Sequence, residues 1–587
     1  MPSNPEFHIF RDSRRRTSTP ELVGAVRKSL RGLASQAPID SLLNLLLQAG
    51  ELECALSDAG ASPEICEHAA RLTDLFADAA IAKDADVADD SRLIAREASS
   101  ILDGIQDSSA LSVSVPEGFA YYALHPLDYA DLIARSRIEA ATAMVVGIRS
   151  IGTTLSSVVA AKLRGEQRSR GFRAPRVWLG REKNTIRRFT VRPAGHPYDR
   201  QCMFDPALRA NIADALAIDA MFLVCDEGPG RSGSSLLSVA EALEREGVPR
   251  SRILILCAHD PNIAALCAPD AEQRWSRYRV AAAGMTKRSP ANAAEYFGSG
   301  EWRTHFFSSQ ESWPAVWPQM ERLRYRSADD ASLLAFEGHG PYGAAVRERQ
   351  QALSNAGFGL PYLGQDAGFG RYQFVKGRLA RANDVSSQLL KRLAEYCAWR
   401  AREFAVSGTD TVQLETMARV NSEREFGVSR DDLVLAVERP VICDSRMMPQ
   451  EWLRADDGRW LKLNPAIHGD DHFFPGPCDI AWDLAGTIVE WNLPPAAREY
   501  FLAEYRNASG DDPTTRIAAY ESAYATFRMA WSAMAAGSVG DAEEESRLLR
   551  DYDDYRNFLR PSMASDLREP MGASEQTASL GIPELSA

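Results

Sequence analysis

Residues 220–235 read Ala-Met-Phe-Leu-Val-Cys-Asp-Glu-Gly-Pro-Gly-Arg-Ser-Gly-Ser-Ser, and this stretch decides the fold. Its first six residues are apolar and rich in β-forming types, which predicts a buried strand. Two acids follow at the expected end of the strand, and small residues then lead into a helical pattern. The sequence therefore predicts a strand, a glycine-rich loop and a helix in succession.

Two further runs share this design. Ala143 to Ile148 and Ile253 to Cys257 are apolar and β-rich, and each is followed by a turn and a helical stretch. Strands that alternate with helices are typical of a mostly parallel, doubly wound sheet, so the predicted fold class of this region is α/β. Ligands of such sheets lie at the carboxyl ends of the strands. We therefore expect functional residues in the loops after these runs.

The loop after residue 225 has the composition of a phosphate-binding loop. Small residues let backbone N–H groups approach a phosphate, and a helix N-terminus favours its negative charge. Asp226 and Glu227 are the predicted catalytic and metal-binding acids, because carboxylates accept hydrogen bonds from ribose hydroxyls. The predicted substrate-binding residues of this loop are Gly228, Gly230, Arg231, Ser232, Gly233, Ser234 and Ser235. A glycine-rich turn that merely opens a helix is the alternative.

This pattern resembles the phosphoribosyl-pyrophosphate loop of type I phosphoribosyltransferases, in which a hydrophobic strand, two acids and a short spacer precede Thr-Gly-x-Thr. Residues 232–235 stand for the Thr-Gly-x-Thr. The spacer has four residues rather than three, so a register fixed by the Ser-Gly pair would put the acids' positions on Glu227 and Gly228. The resemblance covers residues 115–310. It implies a substrate such as phosphoribosyl pyrophosphate or a related ribose phosphate, with Mg²⁺ as the cofactor.

Two other loops extend the resemblance. The loop after Ile148 takes the place of the family's pyrophosphate loop, and the segment from Phe189 to Arg200 takes the place of its mobile catalytic loop. The leaving pyrophosphate must be neutralised, usually by Mg²⁺ and cationic side chains. The residues predicted for the leaving group and its phosphates are Arg149, Ser150, Gly152, Thr153, Thr154, Arg192, His196 and Arg200.

Residues 162–192 form a basic stretch within an acidic chain. The stretch holds 11 basic and two acidic residues, whereas the whole chain has a net charge of −13. Its position between two phosphate-type loops predicts an electrostatic funnel for a polyanion. A solvated charged face and an RNA- or protein-binding surface are the alternatives.

The carboxyl-terminal half carries a different order of motifs. A strand at residues 332–336 precedes a glycine-rich turn at 338–343 and a helix, and Cys443-Asp444-Ser445 and Asp479-Ile480-Ala481-Trp482-Asp483-Leu484-Ala485 follow. This order resembles the aminoglycoside-phosphotransferase branch of the kinase-like fold over residues 325–560. The resemblance implies a two-lobed α+β domain that could bind ATP, with Asp444 as the catalytic base.

This half also departs from that family. The strand lysine that holds ATP phosphates would stand near Ala335, and no lysine is there. Residues 449–451 replace the metal-binding asparagine, and Asn464 replaces a metal aspartate. The substitute metal ligands would be Glu451, Asn464 and Asp471. Residues 468–472, which contain two histidines and two aspartates, are an alternative metal site. Catalysis and a non-catalytic pseudokinase are the two interpretations.

The chain is long enough for several domains. We expect a helical amino-terminal region at 1–114, the phosphoribosyltransferase-like domain at 115–310, the kinase-like domain at 325–560 and a disordered tail at 561–587. The composition is ordinary for a globular protein, with 45% hydrophobic and 25% charged residues.

The composition of the chain also constrains where the protein is located and what it binds. The chain has no apolar run of membrane-spanning length and no signal-peptide pattern, and its nine cysteines lack paired spacing. These features predict a cytoplasmic protein without membrane attachment. The negative charge opposes duplex DNA and leaves a small phosphorylated metabolite as the expected partner. The sequence does not decide whether the chain forms a homo-oligomer. The alternative function is that of a non-catalytic regulatory protein that binds a nucleotide or RNA.

Overall fold

The computed structural model describes residues 7–33, 38–85, 91–136, 138, 142–169, 186–284, 288–290 and 292–566. Contacts divide the chain into two compact units. Of the described residues, those within 14–289 and 338–344 form the first unit, and those within 7–13, 290–337 and 345–566 form the second.

The first unit alternates strands and helices. Its strands are β1 (Arg15–Ser18), β2 (Ala110–Val113), β3 (Ala143–Ile148), β4 (Ile186–Val191), β5 (Ala194–His196), β6 (Asp199–Gln201), β7 (Met221–Cys225), β8 (Ile253–Cys257) and β9 (Arg279–Ala282). Its helices are α1 (Thr19–Arg31), α2 (Ile39–Asp58), α3 (Pro63–Asp84), α4 (Ser91–Asp103), α5 (Glu117–Ala120), α6 (Asp128–Ser136), α7 (Ile151–Ser169), α8 (Pro206–Ala217), α9 (Ser234–Arg245) and α10 (Ala271–Trp275).

A parallel sheet forms the centre of this unit. Its strand order is β4-β3-β7-β8-β9, and each neighbouring pair runs parallel. The prediction that β3 and β7 pair in parallel is confirmed. The carboxyl ends of these strands, and the loops that follow them, therefore lie along one edge of the sheet.

Both faces of the sheet are covered. Alternate residues of β3 pack into different apolar cores: Met144, Val146 and Ile148 into one, Ala143 and Val145 into the other. Successive side chains of a strand point to opposite faces, so these two cores lie on opposite sides of the sheet. A five-stranded parallel sheet with apolar cores on both faces agrees in part with the predicted doubly wound arrangement.

The amino-terminal helices pack onto the same unit. Apolar residues of α1–α4 share one core with Val158 and Ala161 of α7. The predicted separation of residues 1–114 is therefore corrected, since the described residues between 14 and 113 join the sheet's compact unit and residues 7–13 group with the second. An apolar stripe shows that a helix is buried but does not show which partner covers it.

The second unit begins with strands and continues with helices. Its strands are β10 (Ala293–Tyr296), β11 (Arg324–Ser327), β12 (Ser332–Phe336), β13 (Tyr362–Asp366), β14 (Phe369–Gln373), β15 (Gly377–Leu379), β16 (Pro440–Val441), β17 (Trp452–Ala455), β18 (Trp460–Lys462) and β19 (Cys478–Asp479). Its helices are α11 (Arg303–Phe306), α12 (Ala344–Asn355), α13 (Ser387–Glu403), α14 (Val412–Phe426), α15 (Ala481–Glu490), α16 (Pro495–Ser509), α17 (Ile517–Ala536) and α18 (Ala542–Asp566).

A five-stranded antiparallel sheet of order β10-β11-β12-β14-β13 opens this unit, and α12 connects β12 to β13. Three further strands pair in the order β15-β17-β18. Helices α13 to α18 then contribute most of one large apolar core. The predicted order of a small sheet followed by a mainly helical region matches this layout.

Pairing of β10 with β11 corrects one domain boundary. β10 lies inside the predicted 115–310 domain, yet it is the antiparallel neighbour of β11 in the second unit. The boundary therefore lies near residue 290 rather than at 310. The glycine-rich turn at 338–343 groups with the first unit, where the Tyr342 hydroxyl donates to Glu51 Oε2 at 3.1 Å.

The carboxyl-terminal tail begins later than expected. The predicted tail starts at residue 561, but α18 continues through Pro561 to Asp566. Leu559 and Met563 are buried on either side of this proline, so packing holds the helix together there. The rest of the predicted tail, residues 567–587, lies outside the described residues.

Within the described ranges, no helix has both the length and the apolar character that crossing a bilayer requires.

Candidate functional sites

The loop after β7 places two acids at the carboxyl edge of the parallel sheet. The Glu227 amide donates to Asp226 Oδ1 at 2.9 Å, and the Tyr129 hydroxyl donates to the Asp226 carbonyl. Burial raises the pKa of Asp226 to about 7, although the nearby Arg192 and Arg200 charges act against the rise. This carboxyl group therefore titrates near neutral pH.

Glu227 lies in the same acidic environment. Burial, followed by the charges of Asp226 and Glu117, raises its pKa to about 8. A Cβ atom on Gly118 would lie only 2.5 Å from Glu227 Oε1, so the missing side chain makes room for this carboxyl group. Strongly shifted acids in a loop at a strand end are candidates for a functional site.

The rest of the loop after β7 contacts the β5–β6 hairpin. Gly230 and Gly233 have φ values of 59° and 68°, which favour glycine. The hydroxyls of Ser232 and Ser234 both donate to the Pro197 carbonyl, at 3.0 and 2.8 Å. The two serines therefore converge on one acceptor at the start of α9, where a ligand's phosphate oxygen would find the same donors.

Two predicted pyrophosphate arginines converge on Asp58, the last residue of α2. Arg149 Nη1 lies 3.1 Å from Asp58 Oδ1, and Arg192 Nε lies 3.2 Å from the same oxygen. Although burial raises the pKa of Asp58, hydrogen bonds and charges from the two guanidinium groups bring it below its usual value. The loop after β3 and the end of β4 thus present two cations to one anionic group. Sequence analysis missed Asp58, since it lies in a helical region without a motif.

The loop after β3 is also strained. Ser150 has a φ of 96°, which side-chain-bearing residues rarely adopt, and such residues cluster at functional sites. The Arg149 amide donates to the Val191 carbonyl at 2.8 Å, which ties this loop to the end of β4. A Cβ on Gly152 would lie 2.5 Å from the Cys225 carbonyl oxygen, so glycine permits the close approach of β7.

Thr153 and Thr154 differ in their access to the site. Both are buried at the start of α7. A Cβ on Gly50 would lie 2.1 Å from Thr154 Oγ1, so this hydroxyl faces α2. The full burial of Thr153 does not suit contact with a substrate phosphate, whereas Thr154 also lines a small pocket with Asp58, Ser150 and Arg192, so its predicted role stays a prediction.

The hairpin presents further polar groups. His196 is exposed, and its Nδ1 lies 3.2 Å from the Tyr198 amide. Arg200 Nη1 donates to the Pro193 carbonyl at 3.4 Å. Arg231 is exposed and Ser235 is half-buried in the first turn of α9.

The described part of the basic stretch is largely paired with acids. Arg188 is buried and contacts Glu53 at 2.7 Å and Asp74 at 2.9 Å. Arg164 pairs with Asp78 at 3.3 Å. These arginines hold α2 and α3 against the sheet instead of forming an open funnel. Residues 170–185 of the stretch lie outside the described residues.

In the second unit, Asp444 is buried, and both of its carboxylate oxygens contact protein groups. Tyr396 donates its hydroxyl to Asp444 Oδ2, and the Arg446 amide donates to Oδ1 at 3.2 Å. Lys462 Nζ lies 3.3 Å from Oδ1. The Asp483 carboxylate accepts hydrogen bonds from the backbone amides of Asp444 and Ser445, at 2.8 and 2.9 Å. Asp444 is thus placed as the buried centre of an ionic network, which does not suit a base that must meet a substrate hydroxyl.

The substitute metal ligands pair with protein groups. Asn464 Nδ2 donates to Glu451 Oε2 at 3.0 Å, and Lys462 Nζ lies 3.9 Å from the same oxygen. Burial raises the pKa of Glu451, but the charges of Lys462 and Arg446 contribute to a net lowering. Sequence analysis missed Lys462, although a lysine in the apolar run Trp-Leu-Lys-Leu was an available signal.

Asp471, the third substitute ligand, makes different contacts. It accepts from the Phe473 amide at 2.8 Å and lies 3.3 Å from His468 Nδ1. Burial raises its pKa to about 7. Across the described ranges, no group of three or more His, Cys, Asp or Glu residues could hold a metal ion. The alternative metal site at residues 468–472 is therefore not supported.

No family model matches the sequence, and a search of curated proteins found no relative. Solved structures give partial likenesses. A choline kinase from Streptococcus pneumoniae is 14% identical, with 40% of this chain and 89% of that chain covered at a TM-score of 0.30. A choline/ethanolamine kinase family protein from Mesorhizobium loti is 15% identical, with 42% and 88% covered at 0.32.

A macrolide 2′-phosphotransferase from Brachybacterium faecium is 16% identical, with 43% of this chain and 90% of that chain covered at a TM-score of 0.27. Each name is that of a kinase or phosphotransferase. Since every TM-score lies below 0.5, these likenesses do not establish a function for this chain. The description of the second unit therefore depends on its own strand order and on the contacts around Asp444.

Proposed function

We propose that the first unit binds a 5-phosphorylated ribose that carries pyrophosphate, and transfers or removes the phosphoribosyl group. The observation that carries this proposal is the meeting of three polar loops at the carboxyl edge of the parallel sheet. Ser232 and Ser234 join the β7 loop to the hairpin, and Arg149 joins the β3 loop to the end of β4. This edge is where doubly wound sheets bind their ligands.

Each loop offers the chemistry of one part of such a substrate. Ser232, Ser234 and the N-terminus of α9 supply donors for the 5-phosphate. Asp226 and Glu227 accept hydrogen bonds from ribose hydroxyls. Arg149 and Arg192 already share an anionic partner and would neutralise the pyrophosphate as it leaves. Charge neutralisation of the leaving group is what loss of pyrophosphate from C1 requires.

The two acids also fit a magnesium ion that the substrate shares. Mg²⁺ keeps several waters and is often bound by one or two carboxylates together with substrate phosphates. Asp226 and Glu227 provide two carboxyl groups, and their raised pKa values mean that metal binding would release protons. When bound, the ion would add positive charge against the leaving pyrophosphate.

The substrate must displace protein groups from this site. The Pro197 carbonyl occupies both serine hydroxyls, and the Asp58 carboxylate occupies both arginines. Binding therefore requires the hairpin to release the serines and Asp58 to release the arginines. The β5–β6 hairpin overlaps residues 189–200, the segment that takes the place of the family's mobile catalytic loop in the resemblance.

For the second unit, we propose ligand binding without phosphoryl transfer. Both oxygens of Asp444 already accept from or pair with protein groups, and Ala335 stands where the phosphate-binding lysine is expected. Phosphoryl transfer depends on charged side chains and metal ions that are positioned around the substrate, whereas Asp444 is paired with other groups of the protein.

The proposed reaction is tested by pyrophosphate release. The full chain is incubated with phosphoribosyl pyrophosphate and Mg²⁺, alone and with a panel of nucleobases, amines and water as acceptors. We expect pyrophosphate release that Asp226→Asn combined with Glu227→Gln abolishes. A matched control, Asp214→Asn combined with Glu272→Gln, changes two exposed acids of the same unit and should keep full activity. Equal rates in both double variants would contradict the assigned roles.

A further inference from the structure

A pocket in the second unit is bounded by the antiparallel sheet and by β18 with the residues that follow it. Its volume is about 760 Å³, including space open to solvent. One part of its lining is apolar and aromatic: Phe297, Trp302, Phe306, Leu333, Ala335 and Tyr372. The other part is polar and includes Glu451, Lys462 and Asn464. Such a division suits a ligand with a flat apolar body and a polar end.

Lys462 holds the polar part together. Its ammonium group is fully buried and lies 3.3 Å from Asp444 Oδ1, 3.9 Å from Glu451 Oε2 and 2.7 Å from the Leu463 carbonyl oxygen. These three oxygens are hard, negatively polarised groups of the kind that bind Mg²⁺. The ammonium group therefore occupies the centre of an oxygen cluster where a divalent ion would otherwise be expected.

The charges of the lining are balanced without a metal. Arg324 and Lys462 are the cationic side chains of the lining, and Glu321 and Glu451 are the anionic ones. A divalent cation beside the Lys462 ammonium would meet strong repulsion, because a partly buried site screens charge weakly. Metal binding would require Lys462 to leave its three oxygens.

Arg324 adds an unsatisfied donor. Its side chain is 7% exposed, and one of its terminal nitrogens lies 3.9 Å from Glu321 Oε1. Its Nε is buried and has no hydrogen-bond partner within the described part of the chain. Arg326 Nε on the same strand has no hydrogen-bond partner among the described residues either, so it is the position of Arg324 in the pocket lining that makes it the donor for an anionic group of a ligand.

We propose that Lys462 replaces a metal ion in this pocket, and that the pocket binds a flat, apolar ring bearing an anionic group without any divalent cation. The ring lies against the aromatic part of the lining, and the anionic group meets Arg324. This inference stands on the second unit alone, so it does not depend on phosphoribosyl transfer by the first.

ADP is the test probe, because it combines a flat ring with phosphates that chelate Mg²⁺ strongly. The full chain carrying Asp226→Asn and Glu227→Gln, which silences the proposed site of the first unit, is titrated with ADP by calorimetry. One titration contains EDTA and the other contains MgCl₂. We expect binding in both, with dissociation constants within about twofold of each other. Binding that appears only with Mg²⁺, or no binding in either buffer, would overturn the proposal.

Two variants assign the binding to this pocket. Arg324→Gln should weaken ADP binding about tenfold or more, in the range for loss of a charged hydrogen-bond donor. Arg326→Gln is the matched control, since it lies on the same strand outside the lining and pairs with Asp330 at 3.1 Å. Equal effects of the two variants would contradict the assignment.

Lys462→Met tests the replacement of the metal directly. Without the ammonium group, Asp444 and Glu451 lose the cation that they share and keep only Arg400, 4.0 Å from Asp444, and Arg446, 3.5 Å from Glu451, so Mg²⁺ should now raise both the melting temperature and the ADP affinity. Neither quantity should respond to Mg²⁺ in the Asp226→Asn, Glu227→Gln chain, in which Lys462→Met is made. A folded Lys462→Met variant that ignores Mg²⁺ would refute this role, and if the variant does not fold, the EDTA titration and Arg324→Gln still decide the proposal.

Discussion

Asp58 competes with the proposed substrate for two arginines, and its removal has a predictable effect. Asp58→Asn keeps the shape of the side chain but removes the charge shared by Arg149 and Arg192. The side chains of these pairs are 23–40% exposed, and exposed pairs contribute only about 0.2–1 kcal/mol each. The variant should therefore lose about 0.5–2 kcal/mol of unfolding free energy.

An incoming anion should gain the same amount of binding free energy, because it no longer has to displace the Asp58 carboxylate. Since about 1.4 kcal/mol corresponds to a tenfold change in affinity, pyrophosphate should bind the variant about 2- to 30-fold more tightly. The gain should shrink as salt screens the exposed charges.

Calorimetric titration with pyrophosphate, at low and high salt, measures this effect. Glu246→Gln is a matched control, since it removes a partly exposed ion pair with Arg209, at 3.1 Å, in the same unit. That control should leave pyrophosphate affinity unchanged. Unchanged or weaker pyrophosphate binding by Asp58→Asn would refute the view that Asp58 occupies the ligand's place.

Three further predictions concern stability, phosphate contacts and the second unit. The pKa values of Asp226 and Glu227, about 7 and 8, lie above those of an unfolded chain, so their contribution to stability is complete below about pH 4 and is lost as the pH rises through 7–8. Thermal melts should show a falling midpoint from pH 5 to pH 9 that Asp226→Asn with Glu227→Gln flattens, and an unchanged slope would count against the shifts. Ser232→Ala should weaken binding of phosphoribosyl pyrophosphate by about 1–3 kcal/mol in calorimetry, and full affinity would remove Ser232 from the phosphate site. Asp444→Asn should lower the melting temperature because buried Lys462 loses the nearer of its two carboxylate neighbours, which lie at 3.3 Å (Asp444) and 3.9 Å (Glu451). Radiolabelled ATP with Mg²⁺ should give no phosphate transfer in the wild type, and transfer that this variant abolishes would restore the catalytic role.

The parallel sheet could be predicted because its central strands are apolar along their whole length. Such runs mark strands that are buried on both faces, and the acids and glycines after them identify the functional edge. The Asp58 contacts could not be predicted in this way. They join residues 91 and 134 positions apart in the chain, and no local pattern records which distant helix covers a loop.

The carboxyl-terminal half shows a different limit. The positions of Asp444 and Asp483 could be predicted from a familiar order of motifs, but the state of Asp444 depends on Tyr396 and Lys462. These two side chains come from a helix and from a separate strand. Only packing brings them to the carboxylate, and that packing changes a candidate base into a buried ion-pair partner.

Equilibrium binding of phosphoribosyl pyrophosphate tests the central claim most directly. Calorimetry on the full chain with Mg²⁺ should show one site per chain, and Asp226→Asn with Glu227→Gln should abolish the binding heat while the circular dichroism spectrum stays unchanged. No binding to the wild-type chain, or the same dissociation constant in the folded double variant, would contradict the claim that the carboxyl edge of the parallel sheet is a phosphoribosyl site.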